Sequence, residues 1–131
     1  SIYIKVNGHE IGKSLGFEVE DVPSAKRALR ILSERGLAGA AITLGAAGAL
    51  LATNEGRWHA QAPRVRVVST IGSGDSFLGG LVSALDVGKD WSEALRAAVA
   101  AGTANALSAG GGQFAFEEFM HIREQVQVEA W

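Results

Sequence analysis

The sequence predicts an α/β fold, a mainly parallel sheet covered by helices. Three observations predict it. Short apolar or β-branched runs alternate along the chain with segments of helical spacing. Glycine makes up 17 of the 131 residues, about 13% against a usual share of about 7%, which points to tight turns and close backbone approach. A Gly-x-Gly-Asp stands at residues 72–75, between one such run and one such helix. The length provides one ordinary core and no more, so residues 1–131 are read as one unit.

Taken in order, Ile2 to Val6 reads as a buried strand, and Asn7 to Leu15 as a short helix closed by Gly16. Pro23 stands in the first turn of a clearer helix, with Ala25, Ala28, Leu29 and Leu32 at helical spacing and Gly36 as its stop. Ala40 to Leu44 and Ala49 to Thr53 are strands joined through Gly45-Ala46-Ala47-Gly48. A turn at Asn54-Glu55-Gly56 leads to a short strand, Arg57 to Gln61. Val65 to Val68, after Pro63, reads as another strand with Arg64 and Arg66 on a wet face. Asp75 to Leu85 opens a helix that ends near Gly88. Asp90 and Glu93 have capping-box spacing for the next helix, Trp91 to Ser108, which is rich in Ala and Gly and so suited to close packing. Phe116 to Glu124 is the last helix, and Val126 and Val128 add a strand.

Composition excludes several classes of function. Apolar residues form 47% and charged residues 20% of the chain, which fits a folded globular domain. A net charge of −2 with no basic cluster argues against nucleic acid and anionic membrane as partners. The absence of Cys removes disulfides and thiolate metal sites. The longest weakly polar run, Leu37 to Ala52, is interrupted by Gly39, Gly45 and Gly48 and falls short of the roughly 18 residues a membrane span needs. The opening residues read as a strand carrying Lys5 and not as a secretion signal, so the expectation is a soluble, cytoplasmic protein, a fragment or processed chain.

The strand–Gly-Ser-Gly-Asp–helix element carries the chemistry. Its backbone amides lie beside the positive end of a helix dipole, which makes an anion site. Asp75 would repel an anion that was merely bound there. It makes sense where a hydroxyl must lose its proton while attacking a phosphoryl group. The bland alternative is that the glycines serve backbone geometry and Asp75 is an ordinary first-turn residue.

Two other phosphate motifs fail on spacing. Gly12-Lys13-Ser14 ends like a P-loop, but Asn7 stands where the first glycine belongs and Gly8 is one residue late. Gly72-Ser73-Gly74 begins like a dinucleotide fingerprint, but Phe77 occupies the third glycine position.

The run from Thr70 to Gly80 resembles the C-terminal signature of the PfkB, or ribokinase-like, family of carbohydrate kinases. Thr43 to Ala49 resembles that family's nucleotide-binding strand-turn-strand, Asn7-Gly8-His9-Glu10 its Asn-x-x-Glu element, and Ala101 to Gly112 its adenine-side helix and following loop. The resemblance spans essentially the whole chain. It implies the C-terminal ATP-binding portion of a ribokinase-like αβα kinase, without the N-terminal half that supplies much of the sugar site. Gly-Ser-Gly-Asp and the closing Gly-Gly-Gly-Gln-Phe resemble the phosphosugar branch, which includes 1-phosphofructokinase and tagatose-6-phosphate kinase.

Roles are implied position by position. Asp75 would be the general base, and the amides of Gly72, Ser73 and Gly74 would hold the γ-phosphoryl. Thr43, Gly45, Gly48 and Thr70 would lie along the nucleotide, and Asn105 near its adenine. Asn7 and Glu10 would help hold Mg²⁺, and a monovalent cation is a further candidate. The simpler reading of that pair is Asn7 as N-cap and Glu10 as its capping-box partner; both readings stand. The substrates implied are ATP and a sugar or sugar phosphate. Ser69 departs from the family's usual Asp or Asn, and Val6 from its usual Pro.

His9, His59 and His121 have no metal-ligand spacing, and Trp58, Trp91 and Trp131 have no interleaved basic residues. Trp91 reads as a core anchor at a helix start, and Glu117-Glu118 as a solvated first turn. The competing reading is a non-catalytic nucleotide-binding module or half-domain, whose exposed sheet edge would favour homo-oligomers.

Overall fold

The computed structural model describes residues 2–68, 72–107 and 116–131. The chain divides into two compact units, Ser1–His59 with Glu129–Trp131, and Ala60–Val128. Its strands form one sheet in the order β1-β2-β3-β4-β5: β1 Tyr3–Asn7, β2 Gly39–Thr43, β3 Ala49–Thr53, β4 Gly56–Gln61 and β5 Gln127–Ala130.

In the first unit, β1 runs parallel to β2 through a crossover made by α1 (Gly8–Leu15) and α2 (Val22–Glu34). β2 and β3 are antiparallel, because only residues 44–48 connect them. The α/β class holds, and the sheet is mixed where a mainly parallel one was expected. Cross-strand pairs Ala40–Ala52 and Ile42–Leu50 join Ala25, Ala28, Leu29 and Leu32 of α2 in one core. The 3.6-residue spacing of those α2 positions is what gives the helix a single apolar stripe. Asp21 caps α2: its carboxylate accepts from the Ser24 N–H at 2.9 Å and the Ser24 hydroxyl at 2.6 Å.

β1 differs from expectation. It is half-buried at most, with Ile2 and Tyr3 more than half exposed, because it forms an edge of the sheet. α1 comes very close to the segment that follows it. A Cβ on Gly8 would lie 2.1 Å from the Val19 carbonyl oxygen, and one on Gly12 2.8 Å from that of Phe17. The fold also brings Lys26, Arg30 and Arg57 to within 5.4, 5.5 and 4.9 Å of the Trp131 ring centre, a grouping invisible in sequence order.

The second unit is built on three helices, α3 Ser73–Asp86, α4 Trp91–Leu107 and α5 Phe116–Gln125. α3 begins two residues before the expected Asp75. The first N–H groups of a helix need no intrahelical partner, so Ser73 and Gly74 enter the helix at little cost. Gly80 of α3 packs on Ala97, Ala98 and Ala101 of α4. At the start of α4 the Asp90 carboxylate accepts from the Glu93 N–H at 2.9 Å, while Glu93 pairs with Arg96 at 3.4 Å. Arg96 also donates to the Val126 carbonyl.

Val65 to Val68 is not a strand. Residues 62–68 have no regular structure, and Val67 and Val68 are 55% and 65% exposed. The Val68 N–H bonds to the Ala106 carbonyl of α4 rather than to a strand. A β-branched run becomes a strand only where a neighbouring strand receives it. Among the described residues, no helix is long and apolar enough to cross a membrane.

Candidate functional site

The expected site residues fall in both units. In the first, Asn7 ends β1 directly beside Thr43, which ends β2. Parallel strands thus deliver both residues to their carboxyl ends, the usual ligand side of α/β sheets. Asn7, Thr43 and Gly45 line a cavity of about 340 Å³. His9 and Glu20 line it too. Neither is marked in the sequence, because nothing local shows that the second residue of α1 and a residue two positions ahead of α2 approach the end of β2.

Asn7 is the N-cap of α1. Its side-chain oxygen accepts from the Glu10 N–H at 2.7 Å, and Glu10 Oε1 accepts from the Asn7 N–H at 3.0 Å. That is a complete capping box. The other Glu10 carboxylate oxygen carries no bond among the described residues.

The turn between β2 and β3 needs its glycines. Gly45 has φ 62° and Gly48 has φ 84°, a region L side chains rarely adopt. The Leu44 N–H bonds the Gly48 carbonyl at 2.8 Å, and the Gly48 N–H bonds the Gly45 carbonyl at 3.0 Å. His59 braces the turn, Nε2 lying 2.9 Å from the Ala47 carbonyl. The carbonyl can only accept, so the ring nitrogen donates. His59 is a support that sequence reading missed, since its partner is twelve residues away.

In the second unit, Gly72 is the N-cap of α3 with φ 80° and ψ −2°. Having no side chain, it leaves the first-turn amides uncapped. Ser73, Gly74 and Asp75 are the first three helical residues, so their N–H groups point out of the positive end of the helix. The Ser76 N–H bonds back to the Gly72 carbonyl at 2.9 Å, which closes the turn. Asp75 is exposed, and its carboxylate has no hydrogen bond or ion pair among the described residues. It therefore stands open to solvent in the first turn of α3.

Asn105 lies in α4 with no exposed surface, and its Nδ2 donates to the Ser73 hydroxyl at 3.2 Å. The structure thus brings Asn105 and Ser73 together, a pairing across 32 residues that no local pattern signals. Ser69, Thr70 and Gly110 to Gly112 lie outside the described residues.

The first unit carries a sheet with parallel strands, and in the second a Gly-Ser-Gly-Asp turn opens a helix, which places the chain in the α/β class. Residues 2–117 match the family described as pfkB family carbohydrate kinase. The chain belongs to that family. It is 46% identical over 83 residues to 1-phosphofructokinase of Escherichia coli K12, covering 63% of this chain and 26% of the relative. It is 32% identical over 127 residues to D-tagatose-1-phosphate kinase of Klebsiella oxytoca, covering 97% of this chain and 41% of the relative. Among solved structures, phosphofructokinase-2 of E. coli in complex with potassium superposes with a TM-score of 0.83 at 26% identity, over 93% of this chain and 40% of that one. The expected ribokinase-like α/β class is borne out. The chain spans between about a quarter and two-fifths of the length of these relatives.

Proposed function

We propose that this chain is the C-terminal, nucleotide-binding portion of a cytoplasmic kinase that transfers the γ-phosphoryl of ATP to a hydroxyl of a sugar or sugar phosphate. The observation that carries the reading is the start of α3, where among the described residues the Asp75 carboxylate is unengaged and the first-turn amides have no side-chain cap. Asp75 accepts the proton of the attacking hydroxyl. The new bond forms between that oxygen and the γ-phosphorus as the bond to the ADP oxygen breaks in line. The amides of Gly72, Ser73 and Gly74 hold the charge that develops on the phosphoryl oxygens. Thr43, Gly45 and Gly48 provide backbone close to the nucleotide phosphates, with Thr70 as a further contact.

The second Glu10 oxygen, together with Asn7 at the rim of the cavity, fits a hydrated Mg²⁺: it is a hard, exposed anionic donor that the capping box leaves unused. Mg²⁺ there supplies neutralisation of phosphate charge. The names of the relatives favour a phosphorylated ketose as acceptor, and the potassium complex favours a monovalent cation as an accessory ion. The exposed edge at β1 favours further association through that strand.

The test is Asp75→Asn in the kinase that carries this chain. Loss of a general base lowers turnover by about 10²–10⁴-fold and leaves ATP affinity within a small factor. Near-normal turnover removes Asp75 from the role. A second reading, for the 131-residue chain by itself, is nucleotide binding without turnover. Calorimetric binding of Mg-ATP by the 131-residue chain, with no release of ADP in the presence of fructose 1-phosphate, is its signature.

A further inference from the structure

The C-terminal turns of α4 bond to the described residues on either side of positions 69–71. The Val68 N–H donates to the Ala106 carbonyl at 2.7 Å. Asn105 Nδ2 donates to the Ser73 hydroxyl at 3.2 Å. Gly102, one turn earlier, keeps the contact close: a Cβ there would lie 3.4 Å from the Ser73 carbonyl oxygen and 3.8 Å from the Phe77 Cβ. Three neighbouring positions of one helix thus meet Val68 and Ser73.

Asn105 itself is 0% exposed. A carboxamide taken wholly out of water is costly unless its groups are bonded. A side chain without exposed surface also offers no face to a nucleotide base. We infer that Asn105 is a positioning residue, which fixes the Gly72–Asp75 turn through the Ser73 hydroxyl, rather than a contact to adenine. The inference rests on the kinase reading for its consequence, though not for its geometry. Ser73 is the first residue of α3, so restraining its hydroxyl restrains the amides and the carboxylate that follow within the same turn.

Hydrogen exchange on the 131-residue chain tests the tether, read at the Ser76 amide, which bonds to Gly72, and at the Val68 amide, which bonds to Ala106. Ser73→Ala removes one neutral hydrogen bond and is expected to speed exchange at Ser76 about three- to tenfold. Ser73→Thr keeps a hydroxyl and restores protection. Asn105→Leu also speeds exchange at Ser76, and adding Ser73→Ala to it speeds exchange no further, as for two halves of one interaction. Unchanged exchange at Ser76 in Ser73→Ala, or effects that multiply in the double variant, overturns the tether. Ser73→Ala alters only a half-buried hydroxyl, so it decides the matter even where Asn105→Leu fails to fold.

Calorimetry with two nucleotides separates positioning from base contact. Both single variants weaken Mg-ATP by a similar factor and leave AMP unchanged, since AMP lacks the phosphates that would meet the turn. Weakening of AMP by Asn105→Leu to the same degree as ATP overturns the inference in favour of an adenine contact. Failure of the unmodified chain to bind either nucleotide counts against the kinase reading, and the exchange data then decide the tether alone.

Discussion

Two adjacent glycines of α3 occupy opposite environments, and replacing each by alanine isolates what the contact between α3 and α4 requires. Gly79 is exposed, and a Cβ built on it meets nothing within 4 Å. A Cβ on Gly80 would lie 2.9 Å from the Ala97 carbonyl oxygen and 3.1 Å from both the Ala98 Cα and the Ala101 Cβ. Glycine in a helix interior costs roughly 0.5–1 kcal/mol relative to alanine. Gly79→Ala should therefore stabilise the chain by about that amount. Gly80→Ala gains the same propensity but must move backbone, since carbon atoms settle at about 3.5–4.0 Å. Overpacking of this kind costs about 1–3 kcal/mol, so the net effect is a loss of about 0–2.5 kcal/mol.

The propensity term cancels between the two variants. Their difference, about 1–3 kcal/mol, is the contact itself. In a domain of this size it corresponds to a separation in Tm of roughly 4–12 °C. Circular dichroism during thermal and urea unfolding measures it, with unchanged m-values showing that the same surface unfolds. A Gly80→Ala variant as stable as Gly79→Ala would show that the two helices do not approach most closely at Gly80, and the reasoning would fail.

The capping box at the end of β1 allows the two roles of Glu10 to be separated. Glu10→Gln keeps an oxygen for the Asn7 N–H and should leave stability unchanged to within about 0.5 kcal/mol, while Mg-ATP affinity falls; unchanged affinity in calorimetry removes the metal role. Asn7→Ala loses the cap and should cost about 1 kcal/mol in urea unfolding. At the other cap, hydrogen bonds from the Ser24 hydroxyl and then the Ser24 amide hold the Asp21 carboxyl below the usual carboxylate range. A depressed folded pKa contributes stability that is present above the unfolded pKa and lost as pH falls through the folded one, so this contribution declines as pH falls below about 4. Asp21→Asn keeps a capping side chain and should flatten the acid limb of Tm against pH; an unaltered limb would show that Asp21 contributes nothing to it.

What was legible in the sequence was local. The Gly-Ser-Gly-Asp turn, the Asn7 cap and the glycine turn at 45–48 each depend on residues within a few positions of one another, and all are present. What was not legible depends on distant partners. Val65 to Val68 has the composition of a strand and no strand beside it among the described residues. β1 has the composition of a buried strand and lies at an edge. His59 and Ala47, or Asn105 and Ser73, meet only because the chain has folded.

The composition of α4 follows from what it must hold. Ala94, Ala97, Ala98, Ala100, Ala101, Ala104 and Ala106 are buried along it. Alanine contributes less apolar area than leucine would, so this helix forgoes part of the burial energy that larger side chains supply. In exchange its backbone comes within reach of α3, at Gly80 through Ala97 and Ala98, and at Ser73 through Gly102. Larger residues there would push the Gly72–Asp75 turn outward and leave the Ser73 hydroxyl beyond hydrogen-bond range of Asn105. Asn105 is the buried polar side chain of this otherwise apolar stretch among the described residues. An apolar residue of the same shape would be easier to bury. One group it meets is a hydroxyl on the first residue of the helix that carries Asp75.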